Sequence, residues 1–252
     1  MLNIVIPMAG RGSRFVDAGY TVPKPLIPVH CVPMIQIVCG NLRPKCRHRF
    51  IFLCLKEHIK DHSMDARLKK IEPDSKVISV DGVTEGAACT VLLAKELINN
   101  DDPLMIANSD QWVDIDINNY LAEMSPEDDG LIMTMKADDP KWSFVKLDGG
   151  GKVVEVAEKK VISNEATVGV YNYQRGKDFV RAAERMIAGN IRVNNEFYVA
   201  PVYNEMIKDG RKIVIYNIGS DLEGMYGLGI PADLRKFESL PISRRAVGPN
   251  AN

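Results

Sequence analysis

The sequence predicts an α/β fold, a three-layer sandwich whose mixed, mostly parallel central sheet carries helices on both faces. Three observations predict it. Through the first half, short β-rich apolar runs alternate with stretches of helical period in the order βαβαβαβ. That alternation requires parallel strands joined by right-handed crossovers. After residue 130 the strand-like runs crowd together, with Asp148-Gly149-Gly150-Gly151 as a turn between two of them, so the sheet becomes mixed. Finally, 252 residues at 46% hydrophobic and 26% charged suffice for a sizeable core.

The elements follow in chain order from the two periodicities. Leu2–Pro7 is a β-rich apolar run and reads as a strand, and Met34–Leu42 has helical spacing. The unbroken apolar run within Arg49–Leu55 reads as a strand, followed by a helix over Glu57–Ile71 and a strand over Ser75–Val80. Gly86–Asn99 opens with small residues and reads as a helix, Pro103–Ala107 as a strand, and Ile115–Met124 as a helix. Gly130–Lys136, Ser143–Leu147, Val153–Ala157 and Thr167–Tyr173 read as strands; Gly176–Ala188 and Tyr198–Lys208 read as helices. A last strand over Lys212–Ile218 and a helix over Ala232–Phe237 complete the set. No repeat or low-complexity linker divides the chain, so residues 1–240 are expected to form one domain with halves of about 1–130 and 131–240. Residues 241–252 hold Pro241, Gly248 and Pro249 with few apolar anchors and are expected to be a flexible tail.

Composition excludes several functions. The 32 Lys+Arg against 33 Asp+Glu leave a charge of −1, which lacks the positive field of a general nucleic-acid coat. The short basic cluster Arg43, Lys45, Arg47 and Arg49 has only Phe50 and Phe52 as nearby stacking partners and reads as solvated surface. No apolar run approaches the ~20 residues that span a bilayer, and the opening segment lacks the basic start of a signal peptide. A cytoplasmic protein with no nucleic-acid or membrane partner is expected, its oligomeric state open. Five cysteines without a C-x-x-C pair argue for free thiols. His58 and His62 share a helix face, but Ile59 stands where the metalloprotease pattern needs Glu, so they read as plain surface histidines.

The chemistry concentrates after the first strand, in Pro7-Met8-Ala9-Gly10-Arg11-Gly12-Ser13-Arg14-Phe15 and the following Pro23-Lys24-Pro25. Glycines at 10 and 12 let several N–H groups face one concave surface that binds anions, and Arg14 and Lys24 add positive charge at the carboxyl end of a strand. Neither G-x-x-x-x-G-K-S/T nor a complete G-x-G-x-x-G is present, so the glycines alone fit a surface loop equally well. The whole string is more specific. Ala9, Gly10, Gly12, Ser13, Arg14, Pro23 and Lys24 resemble the A-G-x-G-S/T-R…P-K pattern of the sugar-phosphate nucleotidylyltransferase family. The resemblance extends over roughly residues 1–240. It implies a Rossmann-like nucleotidyltransferase core of the GT-A type, Mg²⁺ as cofactor, and an NTP and a phosphorylated small-molecule acceptor as partners.

The resemblance also implies roles for later residues. Asp110, in Asn108-Ser109-Asp110-Gln111 at the end of a strand, matches the family's metal ligand; a turn or helix-cap aspartate is the alternative. Asn108 is placed with the nucleotide by the same match. Thr84, Gly86, Ala87 and Ala88 fall in the family's base-recognition segment, where tight helix packing explains the glycine as well. Glu158-Lys159 resembles the family's E-K motif, with Lys159 for the acceptor phosphate and Glu158 for an acceptor polar group; Lys160 is an adjacent competitor. Gly169 belongs to the following T-x-G-x-Y strand, and Glu196 falls where the acceptor pocket is built or where it would cap the next helix. One position departs: in Met225-Tyr226-Gly227-Leu228-Gly229-Ile230-Pro231-Ala232-Asp233-Leu234, Gly227 stands where the family has a second metal-binding Asp. Either the metal has fewer protein ligands, or a residue such as Asp221 substitutes, and Asp233 begins a helix.

The expected reaction is in-line attack of an acceptor phosphate on the NTP α-phosphorus, with Mg²⁺-pyrophosphate leaving. Arg14 and the loop would hold the β- and γ-phosphates, Lys24 the α-phosphate, Asp110 the metal and Lys159 the acceptor. The acceptor is expected to be a sugar 1-phosphate. The alternatives are a cytidylyltransferase for a non-sugar phosphate, a glycosyltransferase using Asp114-Ile115-Asp116 as a D-x-D motif, and an inactive binding module.

Overall fold

The structure, a computed structural model, describes residues 1–248. Its strands are β1 (Leu2–Met8), β2 (Pro28–Val29), β3 (Val32–Pro33), β4 (His48–Leu55), β5 (Lys76–Val80), β6 (Leu104–Ala107), β7 (Gln111–Val113), β8 (Gly130–Lys136), β9 (Ser143–Leu147), β10 (Val153–Glu158), β11 (Glu165–Tyr173), β12 (Ile213–Asp221) and β13 (Gly224–Gly227). Its helices are α1 (Ser13–Asp17), α2 (Met34–Leu42), α3 (Lys56–His62), α4 (Met64–Ile71), α5 (Ala87–Leu92), α6 (Lys95–Ile98), α7 (Ile117–Glu123), α8 (Gly176–Ala188), α9 (Val202–Lys208), α10 (Pro231–Ser239) and α11 (Ile242–Val247).

One 11-stranded sheet runs in the order β5-β4-β1-β6-β11-β8-β12-β13-β7, with β9 and β10 attached at β11. The run β5-β4-β1-β6 is parallel, as the βαβ alternation requires. The insertion of β11 antiparallel between β6 and β8 makes the sheet mixed. Strand alternation builds the layers. Ile4, Ile6, Phe50, Phe52 and Met105 enter one core with Ile35, Val38 and Leu68 of the helices on that face. Val5, Ile51, Leu53 and Ile106 enter the other with Val91, Phe179 and Met206. Each such side chain, withdrawn from water, stabilises by about 1.5–3 kcal/mol, and its alternation fixes the register.

Local chemistry explains where elements differ from expectation. The helix read over Glu57–Ile71 is two, α3 and α4, because Ser63 adopts left-handed backbone (φ 50°) between them. That over Gly86–Asn99 is likewise split into α5 and α6. The helix read from Tyr198 begins only at Val202, because Pro201 has no N–H to donate and sits at its N-cap. The turn at Asp148 is as read: its carboxylate accepts from the N–H groups of Gly150 and Lys152. The expected flexible tail is corrected in part. Ile242–Val247 is helical, Ser243 is fully buried against His30 (Oγ to Nε2 2.7 Å), and Ala246 and Val247 pack on the Trp112–Phe237 cluster. The remainder of that tail, residues 249–252, lies outside the described residues. No helix among the described residues is long and apolar enough to cross a membrane.

Candidate active site

The glycine loop leaves β1 at the carboxyl edge of the parallel strands. Gly12 is left-handed (φ 63°), and a side chain there would put its Cβ 3.1 Å from Lys24 Cβ, so loop and lysine close on each other only because residue 12 is glycine. Pro23 and Pro25 stiffen the chain on both sides of Lys24. Together Gly10, Gly12, Lys24 and Asn108–Asp110 line a cavity of about 260 Å³. Inside it the Lys24 ammonium is ion-paired with the Asp110 carboxylate, both side chains being largely shielded from water. The loop and the end of β6 therefore meet as the motif implied. Ala9 is buried in the core beside Ala88, and Ser13 and Arg14 lie exposed on α1. Arg14 does not line this cavity.

The segment over residues 84–88 is built differently from a free base platform. The Thr84 hydroxyl donates to the Gly86 carbonyl (2.9 Å). Gly86 (φ 135°) lies against Phe197, whose carbonyl would stand 2.4 Å from an added Cβ. Ala88 is buried, and its N–H donates to the Phe197 carbonyl (3.0 Å). The Phe197 N–H in turn donates to the Glu85 carbonyl (2.8 Å), and Arg192 ties the loops further through Glu85 (2.5 Å). Of the four residues, Ala87 lines a second cavity. The tight-packing alternative accounts for Gly86 and Ala88.

That second cavity, about 290 Å³, is lined by Ala87, Asn108, Trp142, Ser143, Glu158 and Gly169 among others. Asn108 lines both cavities. Gly169 (φ 81°) is required there: a Cβ would stand 2.2 Å from the Asn108 amide nitrogen. The Glu158 carboxylate accepts from the Ser143 hydroxyl, and burial pushes its pKa up. Lys159 Nζ donates to the Tyr198 hydroxyl at 2.6 Å. Glu196 is exposed and does not line the cavity; its carboxylate faces the Tyr198 hydroxyl, and five residues separate it from α9, so it caps nothing there. Trp142 and Ser143, which sequence reading did not single out, line the same cavity together with Thr167 and Tyr171 of the T-x-G-x-Y strand and Tyr198 of the Glu196 segment, which it gave no role of their own.

The C-terminal segment returns to the nucleotide cavity. Gly227 is in register with Gln111, and the Leu228 N–H donates to the Asp110 carbonyl (2.7 Å). Beside the Gly227 position lies the Asp233 carboxylate, 3.6 Å from where a Cβ would stand. Asp221 instead faces Lys141 (3.7 Å). Burial raises the Asp233 pKa and Asp221 adds to the rise, while Lys141, Lys236 and Arg14 oppose it. Gly229 leaves room at Asp110, whose Oδ2 would be 2.8 Å from a Cβ at that position. No three His, Cys, Asp or Glu side chains among the described residues converge as a metal cage. The donors present fit Mg²⁺, which commonly takes one or two carboxylates and completes its shell with phosphates and water.

Two further motifs resolve as structure. Asp116 is the N-cap of α7, accepting from the Asn118 N–H (2.8 Å), and Asp114 pairs with Arg245, so helix capping accounts for Asp114-Ile115-Asp116. His58 and His62 do share a face (ring centroids 6.5 Å apart), but His58 is buried rather than on the surface, and burial lowers its pKa. All five cysteines are free; burial pushes the Cys54 thiol up to about 12.

With this geometry in place, comparison with known proteins is decisive. The family model described as nucleotidyl transferase matches residues 4–195. The chain belongs to that nucleotidyl transferase family. Among its relatives, the bifunctional protein GlmU of Methanococcus aeolicus is 23% identical over 91% of this chain and 58% of its own length. The mannose-1-phosphate guanyltransferase of Aspergillus fumigatus is 29% identical over 68% of this chain and 49% of its own. The chain thus spans about half the length of the curated relatives it matches. Among solved structures, a nucleoside-diphosphate-sugar pyrophosphorylase from Vibrio cholerae superposes with a TM-score of 0.78 at 26% identity, covering 94% of this chain and 100% of that one. The family's Rossmann-like fold is the one described above.

Proposed function

We propose that this family member is a Mg²⁺-dependent nucleotidylyltransferase that joins an NTP to a sugar 1-phosphate and releases pyrophosphate. One observation carries the reading: a phosphate-type cavity with Lys24 and Asp110, and a polar, aromatic-walled cavity with Glu158, have Asn108 as a common lining residue, the wall at which we place their meeting. An NTP in the first and a phosphorylated ring in the second would meet at that wall. Relatives named for mannose 1-phosphate and for nucleoside-diphosphate sugars support a sugar 1-phosphate as acceptor.

In the reaction, an oxygen of the acceptor phosphate bonds to the α-phosphorus while the bond from that phosphorus to the α,β-bridging oxygen breaks. The bond electrons leave with pyrophosphate. The acceptor phosphate is ionised at neutral pH and needs no general base. Catalysis is then alignment and charge stabilisation. Lys24 neutralises charge at the α-phosphate, the Gly10–Gly12 N–H groups cradle the outer phosphates, and Lys159 holds the acceptor phosphate. Asp110 would hold Mg²⁺, which supplies charge neutralisation for the triphosphate. Arg14 lies outside the cavity and would serve the outer phosphates from the α1 side.

The test is pyrophosphate release from a matrix of the common NTPs against sugar 1-phosphates and non-sugar phosphates such as a phosphorylated alcohol. Pyrophosphate with one NTP and one sugar 1-phosphate is the expected result. Release only with a non-sugar phosphate would overturn the acceptor, and free nucleoside diphosphate without pyrophosphate would overturn the reaction.

A further inference from the structure

Lys159 directly follows β10 with its backbone in the left-handed region (φ 52°), a conformation that non-glycine residues seldom adopt. Its N–H donates to the Trp142 carbonyl at 3.1 Å. Its ammonium donates to the Tyr198 hydroxyl at 2.6 Å and lies 4.7 Å from the centre of the Tyr198 ring. Neighbouring Lys160 is exposed and has no hydrogen bond or ion pair among the described residues. Tyr198, which lines the acceptor cavity, thus holds one lysine of the pair, although Lys159 is itself exposed and is not among the residues lining that cavity. The next residue back, Phe197, exchanges two main-chain hydrogen bonds with the 85–88 loop, and Arg192 lies over its ring (4.1 Å).

We propose that Tyr198 is the positioning residue for the acceptor phosphate: from the wall of the acceptor cavity it clasps the Lys159 ammonium and, through Phe197, fixes that grip relative to the 85–88 segment. The proposal rests on the nucleotidyl-transfer reading. Its chemistry suits a phenol. A carboxylate in this place would neutralise the lysine and compete with the incoming phosphate. A neutral hydroxyl orients the ammonium, leaving its full charge and its remaining N–H donors for the ligand. Glu196 helps by facing the hydroxyl; after burial, that contact and its charge hold the phenol protonated.

Two experiments test the clasp. In steady-state kinetics with the NTP and acceptor identified by the substrate matrix, Tyr198→Phe should raise the acceptor KM about tenfold, the loss of one charge-assisted hydrogen bond. The NTP KM and the kcat at saturation should stay within about twofold. On a Lys159→Met background the same substitution should add less than about twofold. An unchanged acceptor KM, an equal rise in both KM values, or full additivity with Lys159→Met would overturn it. The second experiment needs no turnover. In protein reductively methylated with ¹³C, the Lys159 methyl signal, assigned by its loss in Lys159→Arg, should stand apart from those of the other exposed lysines and rejoin them in Tyr198→Leu. A Lys159 signal already among the exposed lysines in the native protein would overturn the clasp. A native protein that released no pyrophosphate across the matrix would overturn the functional reading, and the methyl signal would still decide the clasp.

Discussion

Replacing Gly229 by alanine adds one methyl group against Asp110, which lines the nucleotide cavity. Gly229 has no positive φ, so alanine meets no backbone penalty. Its Cβ would stand 2.8 Å from Asp110 Oδ2 and 3.9 Å from Lys24 Nζ. Against ordinary carbon–oxygen contact the methyl is roughly 0.6 Å too close, and the short Asp110 side chain has to turn away from Lys24 and the α-phosphate region. Misplacement approaching ~1 Å costs up to about a hundredfold in rate, so kcat/KM should fall about ten- to hundredfold, or ~1.4–2.7 kcal/mol of barrier. The fold should hold, because the crowded atom is a side-chain end at a cavity and not part of the core; the unfolding free energy should change by less than ~1 kcal/mol. Gly227→Ala is the matched control. Its Cβ meets Asp233 Oδ2 at 3.6 Å and Met225 Cε at 4.0 Å, ordinary contacts that predict near-native turnover. Pyrophosphate release and urea denaturation of both variants form the assay. Native turnover in Gly229→Ala, or equal losses in the two variants, would refute the placement of Asp110 in the reacting centre.

Lys24→Ala and Asp110→Ala should each slow turnover about a hundred- to thousandfold, ~2.7–4 kcal/mol of barrier, with cooperative unfolding retained; near-native kcat in either would sink its role. For Glu158, burial holds the folded pKa above its ordinary 4.5, so the folded state binds the proton more tightly than the unfolded chain. Its stabilising contribution is complete below that value and is lost as pH rises from about 4.5 through the folded pKa. Urea midpoints measured across that range should fall more steeply for the native protein than for Glu158→Gln, and parallel curves would contradict the burial argument. Asp116→Ala should remove the α7 cap and cost about 1 kcal/mol of stability while leaving turnover unchanged; a loss of turnover would restore the D-x-D metal reading.

Much of this was legible in the sequence wherever the determinant is local. The alternation of Ile4, Val5 and Ile6, and again of Phe50 to Leu55, encodes strand and layer together, since period two sends neighbours to opposite faces of the sheet. The Gly10–Lys24 string and Asp110 were legible because each sits just beyond the carboxyl end of a strand. What escaped depends on contacts far apart in sequence. Tyr198 reaches Lys159 across 39 positions, and nothing in either segment announces the other. Gly86 and Ala88 were read as base-recognition residues with tight packing as the alternative, and nothing local in the sequence points to Phe197, more than a hundred residues later, which packs against them. Asp233 reads as a helix-start carboxylate, and only the fold brings it beside the space at Gly227. The α11 helix hid behind Pro241 and Gly248, because its anchors Ser243, Ala246 and Val247 are too few to register as a period yet close a cluster built by other elements.

The central claim is that the α-phosphoryl nucleotidyl group passes to an acceptor phosphate. Parallel single-turnover reactions with α-³²P and γ-³²P NTP, in the presence of the acceptor, test it most directly. The account predicts α-label in an acceptor-linked nucleotide and γ-label in pyrophosphate, in step with one another. Label from the α-position in free nucleoside mono- or diphosphate, with the acceptor unlabelled, would contradict it.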